Sequence, residues 1–400
     1  MPAYRRTLAL LCLFGLFVFG HEFVMVGVLP LVVIDRGGDA AVVGALVAAF
    51  GIPTIVLRPL IGRILDTPWR AVVVRAGATI VGLAPLGYIV PGLATMLVTR
   101  VVQGAGWAAV GTGGNAVLAR IAPAGRRSEA AGYYNAMHSL AILLGPATGL
   151  WLYANVGTPA PFLLSAVLGF VGLAITAWLP LEPYVPQGGL AAPAPRPRLV
   201  AGLFDPAAVV PMLLIGTFMS VQSLFVIFAP IYARENGIPI EQLGFYYPAY
   251  GLVVLIAHLA LGRTSDRFGR WRTIAVGCMT AIGGLVVAVA GAGGLLGLAV
   301  AGALYGIATA LVTSTVSAVT METAPPERAG SAMATYSVGY QLGMSVGGAA
   351  WGALISLVGY PWPFVGGGLM VAAAFALGFA RLRHAVGRPG GPPAPRQDGA

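Results

Sequence analysis

Twelve mainly apolar runs of some twenty or more residues, most of them joined by only a few residues, fill this 400-residue chain. A run of about 20 apolar residues lets an α-helix cross the roughly 30 Å hydrocarbon core of a bilayer. Inside that core only a helix or a closed barrel satisfies its own backbone. With 58% hydrophobic and 9% charged residues, too little polar surface remains for a soluble globule of this length. The expected fold class is therefore all-α and integral to the membrane. The lipid bilayer is its first partner.

The runs predict spans at about 7–33, 40–64, 71–92, 94–121, 129–153 and 160–181, then at about 207–232, 240–264, 272–292, 295–321, 329–357 and 362–382. Arg5 and Arg6 precede the first run as in a secretory signal. That run continues to about Val33 without a small-residue cleavage site, so it reads as a retained span. Between the sixth and seventh runs lies a Pro/Gly/Ala stretch with Pro183, Pro186, Pro193, Pro195 and Pro197. The reading is a six-helix half over 1–181, a central loop over 182–206, a second six-helix half over 207–383, and a disordered Pro/Gly-rich tail over 384–400.

The net charge of +10 could point to nucleic acid. The basic residues, all arginine, are instead dispersed over short connections, which excludes that partner in favour of topology. Eighteen arginines fall on the side of both termini and only Arg36 and Arg234 on the other. By the positive-inside rule both termini are expected on the cytoplasmic side of a plasma (inner) membrane. Cys12 and Cys278 sit in apolar runs, so no disulfide framework or metal site is expected. No phosphate-binding loop with lysine and no nucleophile elbow occurs, so the chain is read as neither an enzyme nor an ATP-driven pump, with no cofactor.

Displacing the chain by 200 residues sets Pro30 on Pro230, Gly62 on Gly262 and Asp66 on Asp266. The chain is a duplication, and two parallel-related halves meet at a central site near the bilayer midplane. The second copy of the charged connection reads Gly262-Arg-Thr-Ser-Asp266-Arg267-Phe-Gly269-Arg270, and the first keeps Gly62, Asp66 and Arg70. Here the chain resembles the major facilitator superfamily. The second copy matches that family's Gly-x-x-x-Asp-Arg-x-Gly-Arg loop, whereas the first has Thr67-Pro68-Trp69 in place of Arg267-Phe268-Gly269. The resemblance covers about residues 5–383 and implies twelve transmembrane helices in two pseudo-symmetric six-helix bundles. It also implies a cytoplasmic gate formed by these loop residues, Asp66 and Asp266 meeting helix ends while the arginines bond carboxylates or carbonyls. The plainer alternative is that the arginines only enforce topology.

Arg100-Val-Val-Gln103-Gly104 in the fourth span resembles a signature of the superfamily's proton-driven exporters. His21-Glu22-Phe23 through Pro30 is similar to the first span of its twelve-helix bacterial drug and sugar efflux branch. Glu22 and Arg100 each lie eight residues inside the outer end of their spans, ~12 Å deep, so they can pair. A lone mid-helix carboxylate costs about 2.5–3.5 kcal/mol on insertion scales. Burial disfavours its charged form and a guanidinium favours it, so substrate or conformation can swing its protonation. Glu22 is thus a proton or cation site, or else half of a static pair with Arg100. At the duplicated position stands Gln222.

Gly145-Pro146-Ala-Thr-Gly149 resembles the core of the antiporter signature, with an ordinary small-residue helix interface as the alternative. The fold that the resemblance implies would line a cavity with His21, Gln103, Asn135, His138, Gln222, Tyr246, Tyr250, Tyr305, Tyr336 and Tyr340, each tyrosine having helix packing as its alternative. His258 is better placed for a bond between helices than for the cavity. The functional expectation is a secondary transporter, a monomer exporting small amphipathic substrates in exchange for protons. The alternatives are a proton symporter for a sugar or other nutrient, and a membrane sensor that transports nothing.

Overall fold

The structure, a computed structural model, describes residues 2–65, 67–121, 127–181, 205–261, 267–290, 294–324 and 329–382. Asp66, Gly262, Asp266, most of the central loop and the tail lie outside the described residues.

Every regular element among the described residues is helical. Ten stretches are long and apolar enough to cross a membrane. The first span is α1 (Pro2–Val26) continued by α2 (Leu29–Asp35). There follow α3 (Ala40–Leu65), α4 (Arg70–Gly87), α5 (Leu93–Ile121), α6 (Arg127–Asn155) and α7 (Pro159–Ile175). The second half repeats the pattern: α8 (Val209–Val226) continued by α9 (Ala229–Glu235), then α10 (Ile240–Leu261), α11 (Arg270–Ala290) and α12 (Leu295–Thr323). Span eleven is α13 (Ala329–Leu342), a π turn (Gly343–Gly347) and α14 (Gly348–Val358), and α15 (Trp362–Leu382) closes the chain. Counting continued helices once makes twelve spans in two six-helix bundles.

Two spans expected as single helices are broken at matching places. Proline lacks the N–H for an intrahelical bond and crowds the preceding turn. Pro30 and Pro230 each enter the first turn of a new short helix, after breaks at Gly27–Val28 and Ile227–Phe228. The π turn in span eleven has no proline, and the sequence-based spans did not foresee it.

The bundles meet along two seams, α3 against α14 and α6 against α10. The first is a close backbone approach, since a Cβ on Gly44 would lie 2.9 Å from Ala349 Cα. The amide of Ala41 donates to Ser356 Oγ at 2.8 Å in the same seam. On the side away from the termini, Arg234 of α9 reaches Asp35 of α2 at 2.5 Å, and the hydroxyl of Tyr153 bonds the same carboxylate. Arg36 donates to the carbonyls of Tyr88 at 2.6 Å and Val90 at 3.0 Å. Asp39 caps α3 by accepting from the amide of Val42 at 3.0 Å, which holds its carboxyl below the usual carboxylate range. Toward the terminal side, no described residue lies within 4 Å of where a Cβ on Gly62 would stand.

Candidate functional site

Between the bundles lies a cavity of about 210 Å³. The first half lines it with Glu22, Phe23, Phe50, Arg100, Trp107 and His138, the second with Gln222, Tyr250, Tyr340, Gln341, Met344 and Ser345. Apolar groups such as Val26, Leu46, Ile142 and Val254 complete the wall.

Glu22 on α1 and Arg100 on α5, both 7% exposed, face each other across adjacent helices. Arg100 donates from Nη2 to Oε1 at 2.9 Å and from Nη1 to Oε2 at 3.2 Å. Such a two-pronged pair fixes both side chains more firmly than a point contact. The guanidinium carbon also sits 4.5 Å from the centre of the Phe50 ring, a cation–π contact in a desolvated place.

Gln103, one turn along α5, makes this pair part of a larger cluster. Its Oε1 accepts from Arg100 Nη1 at 2.9 Å and from the hydroxyl of Tyr88. Its Nε2 faces Glu22 Oε2 at 2.9 Å and His21 Nε2 at 2.9 Å. Donors surround one end of the amide and acceptors the other, so its orientation follows from the network. The same network assigns His21 a neutral ring that accepts at Nε2 and carries its proton on Nδ1, 2.9 Å from Ser165 Oγ. Ser165 in turn donates to the carbonyl of His21 at 2.7 Å. His21 and Glu22 point to different sides of α1, as the helical rotation predicts, yet Gln103 joins them.

The expected cavity residues therefore separate into four groups. His138, Gln222, Tyr250 and Tyr340 line the cavity. His21 and Gln103 stand behind Glu22, fully buried. Asn135 lies on an exposed part of α6, where its carbonyl accepts from Ser139. Tyr246, Tyr305 and Tyr336 turn to packing: their hydroxyls donate to the carbonyls of Phe225, Phe218 and Thr313 at 2.9, 2.7 and 3.3 Å. Packing was the stated alternative for each, and a buried phenol finds a backbone acceptor because an unpaired hydroxyl is costly. His258 bridges helices through Val254 O at 2.9 Å and Thr313 Oγ1 at 3.3 Å.

The glycine–proline stretch of α6 packs directly on α1. A Cβ on Gly145 would lie 2.6 Å from Phe23 Cβ, and one on Gly149 would run into the carbonyl of Val24. Pro146 lies within α6 between them.

Of the loop residues, Arg70 donates to Leu65 O at 2.5 Å and Arg267 is exposed. Gly269 adopts φ +89° just before α11. Arg270 grips Glu322 at the terminal end of α12, Nε at 3.0 Å and Nη2 at 2.5 Å.

Several residues here escaped the sequence reading. Tyr88, Ser165 and Phe50 carried no signal, because a neutral residue in an apolar run reveals no partner. Glu322 could have been found, since it lies at the same membrane level as Arg270. Met344 and Ser345 reach the wall through the π turn, which shifts the helix face by part of a turn.

Comparison with known proteins agrees with this geometry. The chain is 24% identical over 364 residues to the staphylopine export protein of Staphylococcus aureus, covering 88% of this chain and 90% of that one. It is 25% identical over 340 residues to the chromaffin granule amine transporter of Homo sapiens, covering 81% of this chain and 62% of the human protein. A solved bacterial homologue of the human lysosomal transporter Spinster, inward-facing and unoccupied, superposes with a TM-score of 0.79 at 15% identity, over 97% of this chain and 99% of that one. The profile of the Major Facilitator Superfamily matches residues 10–295 and 279–398. With twelve spans in two bundles around a central cavity, this chain belongs to the major facilitator superfamily and is a membrane transporter.

Proposed function

We propose that the chain exports small amphipathic molecules in exchange for protons, with Glu22 as the coupling site. The observation that carries this reading is the buried Glu22–Arg100 pair at the wall of a cavity shared by the two bundles. A buried ion pair of this kind is a poor source of stability, since desolvating two charges offsets their attraction. It is well suited to exchange. A proton on Glu22 cancels its charge and releases Arg100 to another acceptor, and loss of that proton restores the pair.

The seam contacts on the far side, Gly44 against Ala349 and Ala41 with Ser356, support an inward-facing state with the terminal side cytoplasmic. In that state Glu22 has released its proton and substrate enters. After the bundles rock, Glu22 takes a proton as substrate leaves. Export is the direction in the name of the staphylococcal relative, and aromatic walls beside a carboxylate suit amphipathic or amine-bearing substrates. The halves divide at 181 and 207, and the connections around Gly62–Arg70 and Gly262–Arg270 act as the cytoplasmic gate. The protein works as a monomer in a bacterial inner membrane.

Proton release from purified protein on addition of lipophilic cations, neutral antibiotics or sugars tests the reading. Release that vanishes in Glu22→Gln is the expected result. Binding without release, unchanged by the substitution, would make Glu22 a static partner of Arg100 and move the function to a uniporter or sensor. Normal transport by Asp266→Asn would remove the gating role of the loop.

A further inference from the structure

The cavity wall opposite Glu22 carries a second polar device, and it is not saturated. Gln222 on α8 donates from Nε2 to the hydroxyl of Tyr250 on α10 at 3.0 Å. Its Oε1 is buried with no hydrogen-bond partner, and both residues line the cavity. A buried carbonyl oxygen left without a donor is costly, so a position that keeps one needs a reason.

The neighbouring tyrosines sharpen the point. Tyr246, Tyr247 and Tyr305 spend their hydroxyl protons on backbone carbonyls at 2.9, 2.8 and 2.7 Å. Tyr250 instead accepts from Gln222, which leaves its own proton to offer. Gln222 Oε1 and the Tyr250 hydroxyl thus form an acceptor and a donor side by side. Turning the amide over preserves the pairing: Tyr250 then donates to Oε1, and Nε2 becomes the free donor beside the Tyr250 oxygen lone pair. Either way the wall matches a group that itself places one N–H next to one C=O.

We propose that Gln222 and Tyr250 form a substrate subsite for a neutral amide-type group, such as a primary or secondary carboxamide, lactam or urea, and that Gln222 sets specificity for it. The inference rests on the reading of the cavity as the substrate site and names the chemistry of its far wall. Net charge supports a neutral ligand end: Glu22 is matched by Arg100 within the first half, while Gln222, Tyr250, Tyr340 and Gln341 supply no charge. The rest of the ligand lies against Phe23, Phe50 and Trp107. A volume of about 210 Å³ suits one ring system with its polar group.

The test is calorimetric titration of the full-length purified protein with 2-naphthamide and with N,N-dimethyl-2-naphthamide, which keeps the carbonyl and loses the donors. Wild type is expected to prefer the primary amide by about tenfold, the value of one well-placed hydrogen bond. In the variant that removes the acceptor of the ligand N–H, Gln222→Leu for one amide orientation and Tyr250→Phe for the other, the ratio of the two affinities falls to about one. Tyr250→Phe lowers primary-amide affinity in either orientation and serves should Gln222→Leu fail to fold. Equal affinity of wild type for both probes would overturn the subsite and leave the cavity reading standing, as would a preference that survives undiminished in both variants. If neither probe binds wild type, the cavity reading falls together with the subsite.

Discussion

The two bundles share one plan and polarise their interiors in opposite ways. In the first, the buried polar groups bond to one another: Glu22, Arg100, Gln103, His21, Tyr88 and Ser165 form one continuous cluster. In the second, apart from pairs such as Gln222–Tyr250, they bond mainly to the backbone, with Tyr246, Tyr247 and Tyr305 each on a separate carbonyl. Displaced by 202 residues, Arg100 meets Gly302 and Gln103 meets Tyr305. The duplication kept the helices and let one half concentrate charge while the other filled the same space with aromatic rings. Phe225 stacks on Tyr305 with ring centres 4.8 Å apart. The difference teaches where change is cheap: independent hydrogen bonds can be lost singly, whereas a cluster fails as a unit.

The terminal side differs between the halves as well. Arg270 has Glu322 as its partner, and the duplicated position of Glu322 is Arg120. The first half has no carboxylate at that position, and its Arg70 donates to the carbonyl of Leu65 at 2.5 Å. The helices differ too. Pro146 lies within the unbroken α6, while a π turn interrupts the equivalent span with Val346 in proline's place.

The sharpest way to break the comparison is Arg100→Ala. Leaving Glu22 buried without its cation should lower stability by about 3–5 kcal/mol, read by denaturant or thermal unfolding in detergent. The double variant Glu22→Gln/Arg100→Gln should recover most of that loss, and a purely additive result would mean the cluster is not a unit. Next in size, Gly149→Leu should cost about 1–3 kcal/mol, because its side chain enters the space held by the carbonyl of Val24. A melting temperature equal to wild type would show that α1 and α6 separate freely.

Tyr305→Phe should cost only about 1 kcal/mol, and its effect should add to that of Tyr246→Phe within about 0.5 kcal/mol. Strong coupling between these two would erase the contrast between the halves. The smallest effect is expected at Asp39, whose counterpart is Pro239, a residue without a side-chain acceptor. Asp39→Ala should cost about 0.5 kcal/mol at neutral pH, the low end for an exposed helix cap. Its folded carboxyl titrates below its unfolded value, so the contribution is present above about pH 4 and is lost as the pH falls through the folded value. A wild-type and Asp39→Ala difference that persisted unchanged at pH 2.5 would rule out the cap as its source.

Most of the fold was legible because lipid leaves the backbone few choices, and apolar length alone marks a span. The depth of Glu22 and Arg100 could be counted in residues from the span ends, which is why their pairing could be foreseen. Which face a tyrosine shows could not be counted: Tyr246 and Tyr250 lie one turn apart on α10, yet Tyr246 reaches the carbonyl of Phe225 and Tyr250 reaches Gln222. That choice depends on which acceptor a neighbouring helix presents. The breaks at Pro30 and Pro230 were visible as prolines but not as breaks, since proline near a span end is also compatible with a continuous helix. The π turn left no mark at all, because its glycines serve equally well in a straight, closely packed helix.

The amide of Gln103 has a direction, and that direction makes it a messenger. One of its ends is held by Arg100 and Tyr88, the other by Glu22 and His21, and beyond His21 stands Ser165 on α7. A proton placed on Oε2 of Glu22 would put a donor where Gln103 Nε2 now finds its acceptor, at one of these four grips. The side chain would then turn or lose a bond, and either response would reach the imidazole and the serine behind it. A change of charge at Glu22 would in this way be written into the seam between α1 and α7, away from the cavity wall.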